Sequence, residues 1–416
     1  MMRILAMTNL YPNPYQPHRA TFNRHQFRIL GQRQAVHVIA PISWTDELKA
    51  RRSGASPLPS GRRLMFDGLN VDHPRYLFPP KFARAWYGHF YLASVRKTFH
   101  RAVRDFRPDL IFTPWAYPDG WAAVRLGRAL GCPVVLQVHG SDILLLDQVP
   151  SRRRRTEEAV RTADGIVAVS HDLAKHLVRM GVTASKIRVI HDGVERALFA
   201  PGDKARERAI LKLPPQRRLL LFIGNLVPVK AIDVLLRACA EPTLRKTDYL
   251  LVVVGQGPQR PCLEQLAGQL GVANRVRFVG ALPQADLPHW YRAADVFVLP
   301  SHSEGVPNVL LEASACGAPW VASRVGGIPE ISHLGVSRLV TPNAPVELAH
   351  AILETLNAPP RSEPPIGPKP REEAVDELID FLQSIVGRLS HSRQVCPTVT
   401  ARAGFGSPIA TPEITA

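Results

Sequence analysis

The chain has 416 residues, 45% hydrophobic and 21% charged, which suits packed globular cores, argues against general disorder and allows two domains of ordinary size. Five cysteines (Cys132, Cys239, Cys262, Cys316 and Cys396) stand apart with no CxxC pair, which argues against a disulfide framework and for a reducing cytoplasm. The formal net charge is +17 and uneven: residues 1–200 hold 30 Lys and Arg against 15 Asp and Glu. A basic first half suits an anionic partner such as an anionic lipid, a lipid-linked pyrophosphate or a nucleic acid; an arginine-rich proteome would leave the same trace.

The first apolar run, residues 3–7, gives way at Tyr11-Pro12-Asn13-Pro14. The start of the chain is therefore expected to be a buried strand and loop, not a signal peptide. Short apolar runs at 36–40, 109–113, 133–138, 165–169 and 187–190 predict further strands. Amphipathic stretches at 85–105, 120–130, 152–163 and 171–180 predict helices between them. Residues 50–65 are expected to form an exposed loop, and the polar, proline-containing stretch 197–217 a linker. Strands recur at 218–223, 249–254, 276–279, 296–299 and 319–322. The Pro-rich stretch 358–370 precedes a last helix at about 371–387, and the remainder lacks any packing periodicity.

The pattern is α/β: two doubly wound domains, 1–197 and 198–387, facing across a cleft, with a tail at 388–416 expected to be disordered. The last helix is expected to be able to cross back to the first domain. No stretch has the roughly 18 continuous apolar residues that a membrane-spanning helix needs.

The segment Leu299-Pro-Ser-His-Ser-Glu-Gly-Val-Pro-Asn-Val-Leu-Leu-Glu-Ala313 carries the most chemistry. Its strand ends near Pro300, a loop holds Glu304 to Pro307, and a helix begins at about Asn308. A helix start with free backbone N–H groups is a seat for phosphate, here in the segment Gly305, Val306, Pro307, Asn308 and Val309, of which all but Pro307 carry an N–H. Glu304 and Glu312 flank it and can accept hydrogen bonds from hydroxyls, one of a sugar and one of a ribose. By themselves, two glutamates near a helix start are better explained as solvated acids.

Their neighbours narrow the choice. The chain resembles the retaining glycosyltransferases of family 4, whose two Rossmann-like domains form the GT-B fold. The resemblance covers about residues 3–355. It includes Val252-Val-Val-Gly-Gln-Gly-Pro258, Val276-Arg-Phe-Val-Gly280, Ala294-Asp-Val-Phe-Val-Leu-Pro-Ser301, the Glu304/Glu312 segment and Gly317-Ala-Pro-Trp-Val-Ala-Ser-Arg-Val-Gly-Gly-Ile-Pro-Glu330. It implies that Glu304 contacts the donor sugar and Glu312 the ribose.

Gly224-Asn-Leu-Val-Pro-Val-Lys230 matches a turn that in the family reads Gly-Arg-Leu with a following lysine. The resemblance makes Lys230 the cation that neutralises the departing diphosphate, a role worth several kcal/mol in a dry cleft. Asn225 replaces the family's arginine and carries no charge. Val138-His-Gly-Ser-Asp142 implies a place for His139 beside the donor sugar. Ala20 stands where the family carries a glycine near the donor phosphates. Contacts to the base are expected from the turn at Gly257 and from the stretch after Val279. No cofactor or metal is expected.

Residues 81–101 mix Arg84, Arg96, Lys97 and Arg101 with Trp86, Tyr87, Phe90, Tyr91 and Phe99, and Arg152 to Arg155 form a second basic cluster. A lipid-facing amphipathic helix and an ordinary helix with its aromatics in the core are both compatible with that pattern.

The expected function is transfer of a sugar from a nucleotide diphosphate sugar to an acceptor hydroxyl with retention. The acceptor is expected to be a glycan or lipid-linked cell-envelope precursor, and the place the cytoplasm or the inner face of the membrane. An epimerase or phosphorylase does not combine Lys230, Glu304 and Glu312 at this spacing. A nucleic-acid-binding protein would carry aromatic-basic readout motifs or a helix-turn-helix, and neither is visible. Asn225 and Ala20 keep an inactive, partner-binding relative in view.

Overall fold

A computed structural model describes residues 1–17, 19–80, 84–146, 150–359 and 366–395. The first domain is built on an eight-stranded sheet: β1 Arg3–Met7, β2 Ala35–Ile39, β3 Arg63–Phe66, β4 Leu69–Asp72, β5 Leu110–Thr113, β6 Val134–Val138, β7 Gly165–Ala168 and β8 Ile187–Val189. Its order is β8-β7-β6-β5-β1-β2-β4-β3. Every ladder is parallel except the β3–β4 hairpin. That hairpin turns on Asp67-Gly68, both at positive φ (49° and 79°), the backbone a two-residue turn of this hand requires. β5, β6 and β7 are buried along their whole length, because helices cover both faces of the sheet.

The covering helices are α1 Thr21–Arg33, α2 Tyr87–Phe106, α3 Trp121–Leu130, α4 Pro150–Thr162 and α5 His171–Arg179. On α2, Tyr91, Val95, Phe99 and Ala102 are buried while Arg96 and Lys97 face solvent. The aromatic stripe therefore serves this domain's own core, which corrects the lipid-facing alternative for Tyr91 and Phe99. Trp86, just before the helix, is 57% exposed. Residues 81–83 of that stretch lie outside the described residues.

The second domain holds β9 Arg218–Ile223, β10 Tyr249–Val254, β11 Val276–Gly280, β12 Val296–Leu299, β13 Trp320–Ser323 and β14 Ser337–Val340, in the order β11-β10-β9-β12-β13-β14. All its ladders are parallel. Around it lie α6 Lys204–Ile210, α7 Ile232–Ala240, α8 Leu287–Ala293, α9 Asn308–Ala315 and α10 Pro345–Leu356.

Three expectations are corrected. The supposed linker contains α6, which starts on Asp203, whose Oδ1 accepts from the amides of Ala205 and Arg206 at 2.8 and 3.2 Å. Glu207 of α6 is buried and pairs with His289 and Arg292 of α8. The prolines lie outside this helix, so they frame it and do not break it. The supposed loop at 50–65 begins inside a helix, Trp44–Arg52, and ends inside β3.

The last helix, α11 Arg371–Val395, outruns its expected end by eight residues, so the tail does not start at 388; residues 396–416 lie outside the described residues. α11 packs on α1 and sets Ala374, Val375, Leu378, Ile379, Leu382 and Ile385 into the core on that face of the first sheet. Gly165 makes room for it: a Cβ there would stand 2.9 Å from Ile385 Cδ1.

Strand order reverses at β1/β5 in one sheet and at β9/β12 in the other. Loops leaving the carboxyl ends of such strand pairs diverge and open a crevice, the usual ligand position in an open α/β sheet.

Candidate active site

The β9/β12 reversal brings two stretches together. The turn after β9, Gly224 to Lys230, lies beside the loop after β12, Pro300 to Pro307. The His302 amide donates to the Val229 carbonyl at 2.8 Å and ties them. Across this junction Lys230 Nζ donates to Glu304 Oε1 at 2.5 Å, and Ser301 Oγ donates to the same oxygen at 2.7 Å. Both side chains of the ion pair are largely shielded, with 21% of Lys230 and 10% of Glu304 exposed. Ser301 is fully buried beneath them.

Next to Glu304 the two domains meet backbone to backbone. A Cβ on Gly305 would stand 2.0 Å from the His139 carbonyl oxygen, and one on Gly140 2.8 Å from the Gly305 nitrogen. Only glycine on each side allows the approach. A Cβ on Gly326 would stand 1.8 Å from the Glu304 carbonyl oxygen, and the Gly327 amide donates to the Gly305 carbonyl at 2.8 Å.

α9 then starts at Asn308, with Pro307 before it. The amides of Val306, Asn308 and Val309 sit where the helix offers them no carbonyl of its own, an arrangement that can seat an anion. Val306 is buried and Val309 half-buried against the second domain's core.

Glu312 lies one turn further on, fully buried. Its Oε2 accepts from the Tyr291 hydroxyl at 2.9 Å and its Oε1 from Gln284 Nε2 at 3.4 Å. Burial pushes its carboxyl up to about 7, opposed by the Tyr291 hydroxyl and by the charge of Arg371.

His139 follows β6. Its amide and that of Gly140 donate to Asp142 Oδ1 at 3.1 and 2.9 Å. Asp142 is fully buried, which pushes its carboxyl up. It is the part that holds the histidine turn in shape. The His139 ring lies 5.0 Å from that of Phe22 and lines a small inter-domain cavity with Asn308 and Arg371; its Nε2 is buried without a partner.

The remaining expected residues sit further out. Asn225 is exposed, and its side chain forms no hydrogen bond among the described residues. Gly224 and Gly257 are backbone contacts: a Cβ on Gly257 would meet the Leu226 carbonyl at 2.4 Å, and one on Gly255 the Gly224 carbonyl at 1.9 Å. Val279 lies in β11, half-buried against the second core. Ala20 precedes α1 with φ 45° and ψ 55°, the left-handed region that favours glycine.

Sequence reasoning gave Arg371 no role, and Glu330 none beyond closing a motif. Glu330 accepts from the amides of His171 and Asp172 at 2.8 Å and from His191 Nε2 at 2.9 Å, so a residue of the second domain caps α5 of the first. The first domain also carries a polar hollow at the carboxyl ends of β1 and β2, lined by Asn9, Asn13, Gln16, Arg19, Ser43 and Tyr76. Among the described residues no group of three or more His, Cys, Asp and Glu could hold a metal ion.

Chemically, the junction offers a carboxylate, an ammonium, free amides and a histidine around one inter-domain crevice. That set can hold a diphosphate and polyol hydroxyls and stabilise a departing anion.

Two family models match in tandem: Glycosyltransferase Family 4 over residues 19–198 and Glycosyl transferases group 1 over residues 203–366. D-inositol 3-phosphate glycosyltransferase 2 of Catenulispora acidiphila is 41% identical over 216 residues, 49% of this chain and 51% of that protein. D-inositol 3-phosphate glycosyltransferase of Thermobifida fusca is 37% identical over 270 residues, 60% of this chain and 62% of that protein. The chain thus spans about half to three-fifths of the length of the curated relatives it matches. Among solved structures, sucrose-phosphate synthase of Thermosynechococcus elongatus aligns with a TM-score of 0.68 at 22% identity, over 95% of this chain and 99% of that one. HepE of Anabaena in complex with UDP-glucose aligns with a TM-score of 0.66 at 18% identity, over 95% of this chain and all of that one. At these identities the two structures speak for the fold.

Proposed function

The chain belongs to glycosyltransferase family 4, and from that premise we propose that it moves a sugar from a nucleotide diphosphate sugar to an acceptor hydroxyl, with retention at the anomeric carbon. The observation that carries the reading is the Lys230–Glu304 pair at the β9/β12 reversal, set against the His139 turn across the cleft. In this reading Glu304 Oε2, which has no partner among the described residues, takes a hydroxyl of the donor sugar. Lys230 and the amides at the start of α9 stabilise the negative charge as the diphosphate leaves. Glu312 takes the ribose, and His139 lies beside the transferred sugar. The leaving phosphate accepts the proton of the attacking hydroxyl on the same face. Contact between the domains excludes water that would hydrolyse the donor.

The polar hollow above β1 and β2 suits an acceptor rich in hydroxyls. The basic first domain favours one that carries phosphate, such as a lipid-linked glycan precursor. The names of the inositol-phosphate relatives are compatible with such an acceptor. No described helix is long and apolar enough to cross a membrane. In this reading a lipid-linked acceptor is met at the membrane surface.

A thermal-shift panel of UDP- and GDP-sugars tests the donor half. A ligand that binds only the folded state raises the melting temperature, by about 2.7 kcal/mol of stabilisation at 100 times its Kd. The expected result is a shift with sugars of one base and none with the other. A flat panel contradicts the reading.

A further inference from the structure

The chain crosses between its domains twice, and the crossings pair with each other. The Val194 amide donates to the Lys369 carbonyl and the Arg371 amide to the Val194 carbonyl, both at 3.0 Å. Gly193 lets them close: a Cβ there would stand 2.4 Å from the Pro370 carbonyl oxygen. Arg371, the first residue of α11, therefore sits at the hinge. Its Nε donates to the Gly193 carbonyl at 3.3 Å.

The rest of its guanidinium has no such anchor. Arg371 is 7% exposed, its Nη1 is buried without a partner, and it forms no salt bridge among the described residues; the Glu312 carboxyl feels its charge only at longer range. Arginine stays charged in proteins, and a buried cation without a counter-ion is costly. It faces the cavity shared with His139, Asn308 and Asp192. His139 Nε2 and Asn308 Oδ1 also lack partners there. The unpartnered Nη1 on a buried cation, with His139 Nε2 able to donate in one tautomer, describes a site completed by an anion, while Asn308 Oδ1 accepts and suits a hydroxyl of the same ligand.

We infer that Arg371 is a second cation of the donor site, which takes a phosphate oxygen of the nucleotide diphosphate and supplies the positive charge that Asn225 does not. The inference rests on the donor reading above. Asn308 opens α9, the helix whose amides form the anion seat, and it lines the same cavity as Arg371. A guanidinium there reaches the seat from the hinge side, through a cavity that no residue of the Gly224–Lys230 turn lines, so donor binding and the position of the domains become linked through one side chain.

The test compares wild type, R371Q and R371K. UDP and GDP binding is measured by calorimetry, and uridine and guanosine binding by ligand-observed NMR. The expected result is a tenfold or greater loss of diphosphate affinity in R371Q, nucleoside affinity within twofold of wild type, and partial recovery in R371K. Unchanged diphosphate affinity in R371Q overturns the inference and leaves the donor reading standing. So does an equal loss of nucleoside and diphosphate, which would mark a purely structural hinge residue. If wild type binds neither UDP nor GDP, the donor reading itself fails. Should R371Q not fold, R371K decides, since it keeps the charge and loses the Gly193 bond. A diphosphate loss under threefold supports the inference, and a tenfold loss shared by the nucleoside contradicts it.

Discussion

Glu312 pairs its proposed role with a titration. Burial pushes its carboxyl from the usual 4.5 up to about 7. A raised carboxyl contributes its stability in full below the unfolded value and loses it as pH rises through the folded one. Stability is therefore expected to fall between about pH 5 and pH 8. Asp119, also fully buried and pushed up to about 7, adds to the same fall. Glu312→Gln should flatten part of the slope and be the more stable protein at pH 8. The ionised carboxylate is also the better acceptor for two ribose hydroxyls, so wild-type donor affinity should rise across neutral pH and the variant's should not. Denaturation and binding curves from pH 5 to 8 check both; parallel curves for the two proteins would contradict the assignment.

At this scale the sequence was informative where a side chain acts within its own motif. Glu304, Lys230 and His139 belong to such motifs. Ala20 was legible as the occupant of a glycine position, and its φ of 45° gives the reason. Ala231, just after Lys230, has the same conformation at φ 48°. An alanine there costs about 1–2 kcal/mol relative to a backbone without strain. Arg371 and Glu330 were not legible, because their partners lie far along the chain and become neighbours only when the crossings close.

Among the elements, the start of α5 couples the domains. Ser170 caps it from within, its Oγ accepting from the Leu173 amide at 3.1 Å, while Glu330 covers the two amides before. Burial works against the Glu330 carboxylate, but the His171 amide, His191 and the Asp172 amide hold its pKa below the usual range. Glu330→Ala should cost about 1–2 kcal/mol, the range of a lost helix cap, and loosen the contact between domains. The radius of gyration in solution should increase together with a lower melting temperature. No change in either would show that the cap does not hold the domains together.

Most buried strands were legible as continuous apolar runs, since parallel strands covered on both faces leave no alternation to confuse. The β3–β4 hairpin is not legible although Asp67-Gly68 signals it, because its strands are only four residues long, β3 is exposed on one face, and the mostly buried β4 carries the polar Asn70 and Asp72. α6 was missed because prolines at its borders resemble a linker. The end of α11 was placed too early because Gly387 is a helix interior residue here and not a stop.

For the whole molecule, each sheet reverses its strand order once, at β1/β5 and at β9/β12, and the His139 and Glu304 loops meet backbone to backbone between the domains. The two-domain α/β architecture followed from strand–helix alternation. The returning helix and the paired hinge depend on contacts over long sequence separations, which periodicity does not encode.

The most direct test of the account is donor turnover. Hydrolysis or transfer from the nucleotide sugar that gives the largest thermal shift is measured for wild type, Lys230→Ala and Glu304→Ala, with melting temperatures taken alongside. Loss of one preorganised stabilising group costs roughly 100-fold or more in kcat. The account predicts measurable wild-type turnover and a loss of that size in both variants while each stays folded. Wild-type activity that persists unchanged in both folded variants would contradict it.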